Sequence, residues 1–222
     1  MNRKPWLLIL MAAAALAAVG GALRALPAKQ MDSTNPVPYF IYDGRGTPGF
    51  DAADRQLAVW ALNAWSRESG GKLKFTEAKD EASALLRLRW VSARDGLFGE
   101  TQRIRIGDKE GAVVFVMPEV ANLGQPLAGR AQSDNLLRDT IVYLTCVHEL
   151  GHAVGLPHTR DFQDIMYSFG YGGDIVAYFM RYREKLKSRE DIAKFSGLSP
   201  ADATELRALY NKRINLLEKR RP

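Results

Sequence analysis

Three histidines fall within eleven consecutive positions, in the stretch HELGHAVGLPH that runs from His148 to His158, and the chain of 222 residues contains no other histidine. Apolar residues before and within this stretch recur at helical spacing, which predicts a helix there. His148 and His152 are then expected one turn apart on the same helix face. Two imidazoles placed in this way can bind a single metal ion.

The third histidine needs a turn in the chain. His158 lies six residues after His152, too far along a continuing helix to reach the same ion. Gly155 can adopt a positive φ at a helix end, and Pro157 prevents the helix from resuming. Three nitrogen ligands would leave one tetrahedral position open, which is typical of a catalytic zinc site rather than a structural one. A core helix that ends in Gly and Pro would not explain why every histidine is here.

Glu149 directly follows the first histidine and lies about 100° around the helix from it. A carboxylate in this position can reach a water molecule on the metal without being a ligand itself. The sequence therefore predicts that Glu149 is a general base. Cys146, the single cysteine, is two positions before His148 and is expected to be a buried core thiol. It has no histidine partner free of the metal, which argues against a cysteine protease.

Met166 lies eight residues after His158, in the sequence DIMYS. The pattern HExxHxxGxxH followed by such a methionine resembles the metzincin metalloproteases, and the nearest branch is the matrixins. Three further stretches are similar to matrixin elements: RQLAVWALNAWSRESGGKLKFTEA, SALLRLRW and LSPADATELRALY. The resemblance extends from about Val37 to Tyr210. It implies an α+β, zincin-like fold, with a mixed, twisted five-stranded sheet, an active-site helix, a backing helix and a C-terminal helix.

The resemblance also implies roles for individual residues. His148, His152 and His158 would be the zinc ligands, Glu149 the general base, and Met166 the hydrophobic floor beneath the metal. Matrixins commonly bind a second, structural zinc ion through further histidines, and this chain has none left for it. One catalytic zinc ion is therefore expected. A calcium requirement stays open, because the acidic residues are too scattered to define a calcium loop, among them Asp95, Asp108 and Glu110.

The expected function is that of an exported zinc endopeptidase that acts on proteins or peptides. One alternative is a non-catalytic, zinc-bearing module that binds peptides, for which the loss of Glu149 or of a ligand would be the mark. Glu149 and all three histidines are present. A second alternative is a zinc hydrolase that acts on a bond outside proteins, which the motif alone also fits.

The N-terminal residues predict export. Arg3 and Lys4 precede an apolar run over residues 6–23, so residues 1–28 are expected to be a signal peptide or a retained signal anchor. The catalytic part would then be secreted or periplasmic, and an uncut segment would tie it to the membrane. Residues 29–36 are expected to be a linker, and residues 37–222 the metalloprotease domain.

Within this domain, a helix is expected from Asp51 to Ser69. By analogy with matrixins, the stretch QRIRIGD is expected to be the edge strand beside the cleft. Arg103 and Arg105 would share one face of that strand, where they could favour acidic substrates or, as the commoner outcome, be solvated. An inserted helix is expected at about residues 174–190. It could shape the pocket for the residue after the scissile bond or pack on the last helix.

Charge is concentrated near the C-terminus. The formal net charge is +6, and residues 181–222 contain twelve Lys and Arg against six Asp and Glu. A solvated tail is the commoner explanation, and contact with an anionic membrane or envelope polymer is the alternative. No stretch resembles a nucleic-acid-binding module, so a nucleic-acid partner is not expected. A monomer is expected.

Overall fold

The computed structural model describes residues 30–33, 35–92 and 98–218, with side chains described as far as residue 211. The predicted signal peptide or anchor of residues 1–28 lies outside this part of the chain. No helix in the described ranges has both the length and the apolar character needed to cross a membrane.

A five-stranded mixed sheet forms one layer of the described structure. Its strands, in chain order, are β1 (Val37–Ile41), β2 (Phe75–Glu77), β3 (Leu86–Trp90), β4 (Gly99–Ile106) and β5 (Lys109–Val116). They lie side by side in the order β2, β1, β3, β5, β4. All neighbouring pairs are parallel except β4 with β5, which is antiparallel. The predicted α+β fold with a mixed five-stranded sheet is confirmed, and QRIRIGD belongs to edge strand β4.

The described residues also form five α-helices. These are α1 (Asp54–Glu68), α2 (Leu127–Ser133), α3 (Asn135–Val154), α4 (Ile175–Arg183) and α5 (Pro200–Glu218). The predicted first helix begins three residues later than expected, at Asp54. It stops where predicted, because Gly70 and Gly71 both take a positive φ.

The core lies between the sheet and the helices α1 and α3. In β3 the alternating residues Leu86, Leu88 and Trp90 are buried, as expected for a strand that covers a core with one face. Trp65 of α1 is fully buried, and its Nε1 donates a hydrogen bond of 2.9 Å to the carbonyl of Val147 in α3. Helix α3 contacts α1, α4, β4 and β5. Its position is therefore fixed from several sides.

The helix predicted at about residues 174–190 is present but shorter. It ends at Arg183 and is followed by a short 3-10 helix at Arg189–Ala193. Asp191 explains the break, because its Oδ2 accepts hydrogen bonds from the backbone N–H groups of Lys187, at 2.9 Å, and Ser188, at 3.0 Å. Ser188 is the N-cap of this new turn, and the carboxylate of Asp191 forms a capping box with it. The prediction of one continuous helix to residue 190 was therefore wrong.

Candidate metal centre

Helix α3 carries the first part of the site. The side chain of Asp134 caps its start by accepting a 3.1 Å hydrogen bond from the N–H of Leu137. Its end has the predicted geometry: Gly155 has φ 110°, and the N–H of Leu156 donates to the carbonyl of Gly151 at 2.9 Å. This left-handed residue turns the chain back toward the helix.

The turn brings the three histidines together. The Nε2 atom of His158 lies 3.2 Å from Nε2 of His148 and 3.0 Å from Nε2 of His152. One ligand atom from each residue lies within 4.8 Å of the others. The structure thus places in one cluster the residues that the sequence predicted to share a metal ion.

The opposite ring nitrogens of two histidines are engaged by backbone carbonyls. Nδ1 of His148 lies 2.6 Å from the carbonyl of Ile165, and Nδ1 of His152 lies 2.9 Å from that of Leu156. A carbonyl can only accept, so each Nδ1 carries the hydrogen and each Nε2 presents a lone pair to the cluster. Burial also lowers the pKa of His148 to about 3 and lowers the pKa of His152, so both rings are neutral at pH 7.

This donor set fits a zinc ion. Two nitrogens on one tetrahedral zinc with bonds of 2.0–2.1 Å are about 3.3 Å apart, close to the two separations of 3.2 and 3.0 Å. At most one hydrogen, on His158, can lie among the three Nε2 atoms. A cation would remove the repulsion between the remaining lone pairs. The fixed orientation of His148 and His152 is also what neutral imidazole ligands need.

Met166 lies in a turn that packs against α3 at Gly151. It is 1% exposed, and a Cβ at Gly151 would collide with its Sδ and lie 2.9 Å from Cζ2 of Trp65. Gly151 therefore lets the methionine approach α3 closely. The carboxylate of Asp202, in the first turn of α5, accepts a 2.8 Å hydrogen bond from the N–H of Ile165. This bond attaches the methionine turn to the last helix.

Glu149 points toward strand β4. It is 6% exposed, and its Oε2 accepts a 2.8 Å hydrogen bond from the hydroxyl of Thr101. Burial raises the pKa of Glu149 to about 7 against the lowering effect of that hydrogen bond. A Cβ at Gly99 would lie only 2.6 Å from Cγ of Glu149. The carboxyl group is thus enclosed by the strand but remains on the wall of the cleft.

A cavity of about 420 Å³ opens beside the histidines. Its wall is mainly apolar, and α4 contributes Tyr178 and Phe179, which also pack in the core. The inserted helix therefore borders this cavity, and it packs on α3. Besides Glu149 and the three histidines, the lining includes Phe98, Gly99, Glu100, Thr101, Leu144, Thr145, Tyr167, Ser168, Phe169 and Gly170.

The side chain of Arg103 has a role that the sequence did not indicate. Its guanidinium donates to the carbonyls of His152, at 3.0 Å, and Ala153, at 2.9 Å, in the last turn of α3. Arg103 and Arg105 are both exposed, as the commoner expectation had it, but Arg103 also binds the end of α3, which the sequence did not indicate. Cys146 is fully buried in the core, as predicted.

Sequence reasoning did not identify Gly99, Thr101 and Gly151. The first two reach Glu149 from a strand about fifty residues earlier, and no spacing rule connects segments so far apart. Gly151 did leave a signal, because glycine in the interior of a helix costs about 1 kcal/mol relative to alanine and so indicates a close contact.

Comparison with models of known protein families gives a match over residues 39–175, to the matrixin family. The match covers more than half of the chain and includes the three histidines, Glu149 and Met166. It ends at the first residue of α4, so the later helices lie beyond it. No curated protein matches the chain.

Proposed function

Because this chain belongs to the matrixin family of zinc metalloproteases, we propose that it is an active endopeptidase whose zinc ion is bound by His148, His152 and His158. The observation that carries this proposal is the convergence of the three Nε2 atoms beside a cleft that also contains Glu149. Two of the three rings are already oriented by backbone carbonyls.

In the proposed mechanism Glu149 is the general base. A zinc ion held by the three imidazoles would act as a Lewis acid, which would polarise the carbonyl group of the peptide bond and make the attacking water more acidic. Glu149 accepts a proton from the attacking water and passes it to the nitrogen of the leaving amine. In the metal-free site burial raises the pKa of Glu149, which favours proton uptake by its carboxyl group.

The edge of β4 is suited to hold the substrate backbone. The N–H of Ala112 in β5 donates to Leu85, before β3, whereas the N–H of Met117 donates to Phe98, before β4. Backbone groups along a strand alternate in direction, so the pairing of β4 with β5 leaves those of Gly99 and Thr101 pointing away from the sheet. An extended peptide could pair with these free groups beside the histidines.

The cavity indicates the type of side chain that the cleft accepts. The surface of its wall is mainly apolar, and the rings of Phe98 and Phe179 lie 5.9 Å apart in it. We propose that the substrate residue after the scissile bond is large and apolar. Replacement of Phe179 by alanine should broaden selection toward larger side chains at that position. Replacement of Tyr171, which is 53% exposed, should leave this preference unchanged.

Peptide-library cleavage by the purified, zinc-loaded protein tests the function directly. The Glu149→Ala variant is the matched control, because its fold and zinc content should persist while cleavage falls by about 10⁴-fold or more. A variant that keeps zinc and cleaves at the parental rate would falsify the role of Glu149. A parental protein that binds zinc and peptides without cleaving them would instead be a peptide-binding module.

We further propose that the chain binds one zinc ion tightly, since no histidine remains for another site. Elemental analysis should give one zinc per chain, and two tightly held ions would contradict the proposal. The same analysis for calcium will decide whether that ion is retained.

We also propose export, on the basis of the sequence of residues 1–28. A reporter fused after Pro222 should be active on the far side of the cytoplasmic membrane. Activity confined to the cytoplasm would refute export. Recovery with membranes would indicate a retained anchor, and recovery in the soluble fraction would indicate a cleaved signal.

A further inference from the structure

Two residues of β4 define the space that the Glu149 side chain occupies. At Gly99, an added Cβ would lie 2.6 Å from Cγ and 3.0 Å from Cδ of Glu149. It would also lie 2.9 Å from the carbonyl oxygen of Phe115 in the neighbouring strand. These distances are shorter than van der Waals contact, so a side chain at position 99 would displace either Glu149 or the strand.

Thr101 contacts the same carboxyl group from two positions further along the strand. Its hydroxyl oxygen lies 2.8 Å from Oε2 of Glu149 and 2.8 Å from the backbone carbonyl oxygen of Glu149. Residues 99 and 101 are on the same face of β4, because side chains alternate along a strand. On this face of the edge strand, the absence of a side chain at Gly99 leaves room for Glu149, and the hydroxyl group of Thr101 binds its carboxyl group.

We propose that Gly99 and Thr101 are positioning residues, which hold Glu149 in one place and so keep its carboxyl group aimed at the cleft. This inference rests on the proposed role of Glu149 as the general base. Neither residue is required to touch the substrate through its side chain for this purpose. Strand β4 would then support catalysis through Glu149 as well as bind the substrate backbone.

The hydroxyl of Thr101 can serve this purpose throughout the reaction. While Glu149 is a carboxylate, the hydroxyl hydrogen of Thr101 is donated to Oε2. When Glu149 holds the transferred proton on its other oxygen, Oε2 still accepts from the same hydroxyl group. The hydrogen bond is therefore kept in both protonation states, so the side chain of Glu149 does not have to move between them.

A purely structural role for Thr101 would give different results in a matched pair of variants. Thr101→Val keeps the branched shape but removes the hydroxyl, whereas Thr101→Ser keeps the hydroxyl but removes the methyl group. If packing or strand propensity is what matters, valine should be the milder change. If the hydrogen bond to Glu149 matters, serine should be the milder change.

The first test is kinetic, with the zinc-loaded protein and a peptide that the parental protein cleaves. We expect Thr101→Val to lower kcat by about 10- to 100-fold, the usual effect of removing a supporting hydrogen bond at a metal site, with KM and zinc content near parental values. Thr101→Ser should retain most of the parental kcat. Equal losses in the two variants, or a parental kcat in Thr101→Val, would overturn the inference.

The second test does not depend on cleavage. Crystal structures of the two zinc-bound variants should show Glu149 in its parental position in Thr101→Ser and in more than one position in Thr101→Val. A single, parental position in Thr101→Val would overturn the inference even if the protein proved not to be a peptidase. Gly99→Ala should displace Glu149 as well, and the threonine pair decides the question if that variant does not fold.

Discussion

The two halves of helix α3 use their polar side chains differently. In the N-terminal half the charged side chains have charged partners: Arg138 binds the fully buried carboxylate of Asp54, and Asp139 binds Arg189 at 2.8 Å. In the C-terminal half the partners are neutral. His148 and His152 contact backbone carbonyls, and Glu149 accepts from a hydroxyl group.

The N-terminal half of α3 thus attaches the helix to the rest of the fold, and the C-terminal half carries the candidate metal ligands and general base. Ion pairs hold groups in their charged forms, which suits the half that attaches α3 to α1 and to the segment after α4. A metal ligand must instead be a neutral imidazole, and a proton carrier must not be fixed in one charge state. Neutral partners orient His148 and Glu149 without imposing a charge on either. Changes in the first half should therefore alter stability, and changes in the second should alter zinc binding and turnover.

The largest effect is expected from Arg138→Met in the anchoring half. It leaves the Asp54 carboxylate buried without its cation, which typically costs about 3–5 kcal/mol of unfolding free energy. Denaturant unfolding measures this loss. Activity per folded, zinc-loaded molecule should stay near the parental value, and a large fall in kcat without loss of stability would contradict the separation. The double variant with Asp54→Leu should recover much of the stability, since both charges are removed together.

His158→Ala tests the functional half. A four-ligand structural zinc site gains about 10–16 kcal/mol, or roughly 3–4 kcal/mol per ligand, so loss of one ligand should weaken zinc binding by about 10²- to 10³-fold. Competition with a chromogenic chelator measures the affinity. The unfolding free energy of the zinc-free variant should remain close to that of the zinc-free parent. Unchanged zinc affinity would show that His158 is not a ligand.

The two halves should also respond to acid in different pH windows. Burial lowers the pKa of His148 from 6.5 to about 3, so in the zinc-free protein the unfolded state binds the extra proton below about pH 6.5 and stability falls from there toward pH 3. For Asp134, burial raises the pKa, but Arg183 and hydrogen bonds from the backbone N–H groups of Leu136 and Leu137 together lower it below the ordinary value of 3.8. Its contribution is present above pH 3.8 and is lost as the pH falls below that value. Urea unfolding from pH 8 to about pH 2 should cover both windows, and His148→Gln should remove part of the upper one.

The smallest effect is expected from Arg103→Gln. The guanidinium of Arg103 binds the last carbonyls of α3 from an exposed position, where a cation at a helix C-terminus contributes about 0.3–1 kcal/mol at low salt. Thermal unfolding with and without added salt measures the contribution, which salt should reduce. Cleavage of acidic and neutral peptides should change equally in this variant. A selective loss for acidic peptides would instead show that Arg103 recognises substrate.

Several elements could be predicted from sequence because their determinants are local. Helical spacing fixed the relation between His148 and His152, and Gly155 with Pro157 indicated the turn that returns His158 to them. The alternating and fully apolar runs predicted the strands of the mixed sheet. In each case the information lies within a few consecutive residues, so backbone geometry alone connects the pattern to the structure.

The tertiary structure decided what surrounds those residues. The approach of Gly99 and Thr101 to Glu149 depends on the register of β4 against β5 and on the packing of α3 across the sheet, which no local pattern encodes. The same is true of the contact between Arg103 and the end of α3, which joins residues about fifty positions apart in the chain. The end of α4 has a local cause by comparison, because Asp191 binds the backbone N–H groups of Ser188 and Lys187, three and four residues before it. The physical reason is the same for β4 and for Arg103: a contact between segments far apart in the chain is selected by the packing of the whole core, whereas a helix turn is selected by its own residues.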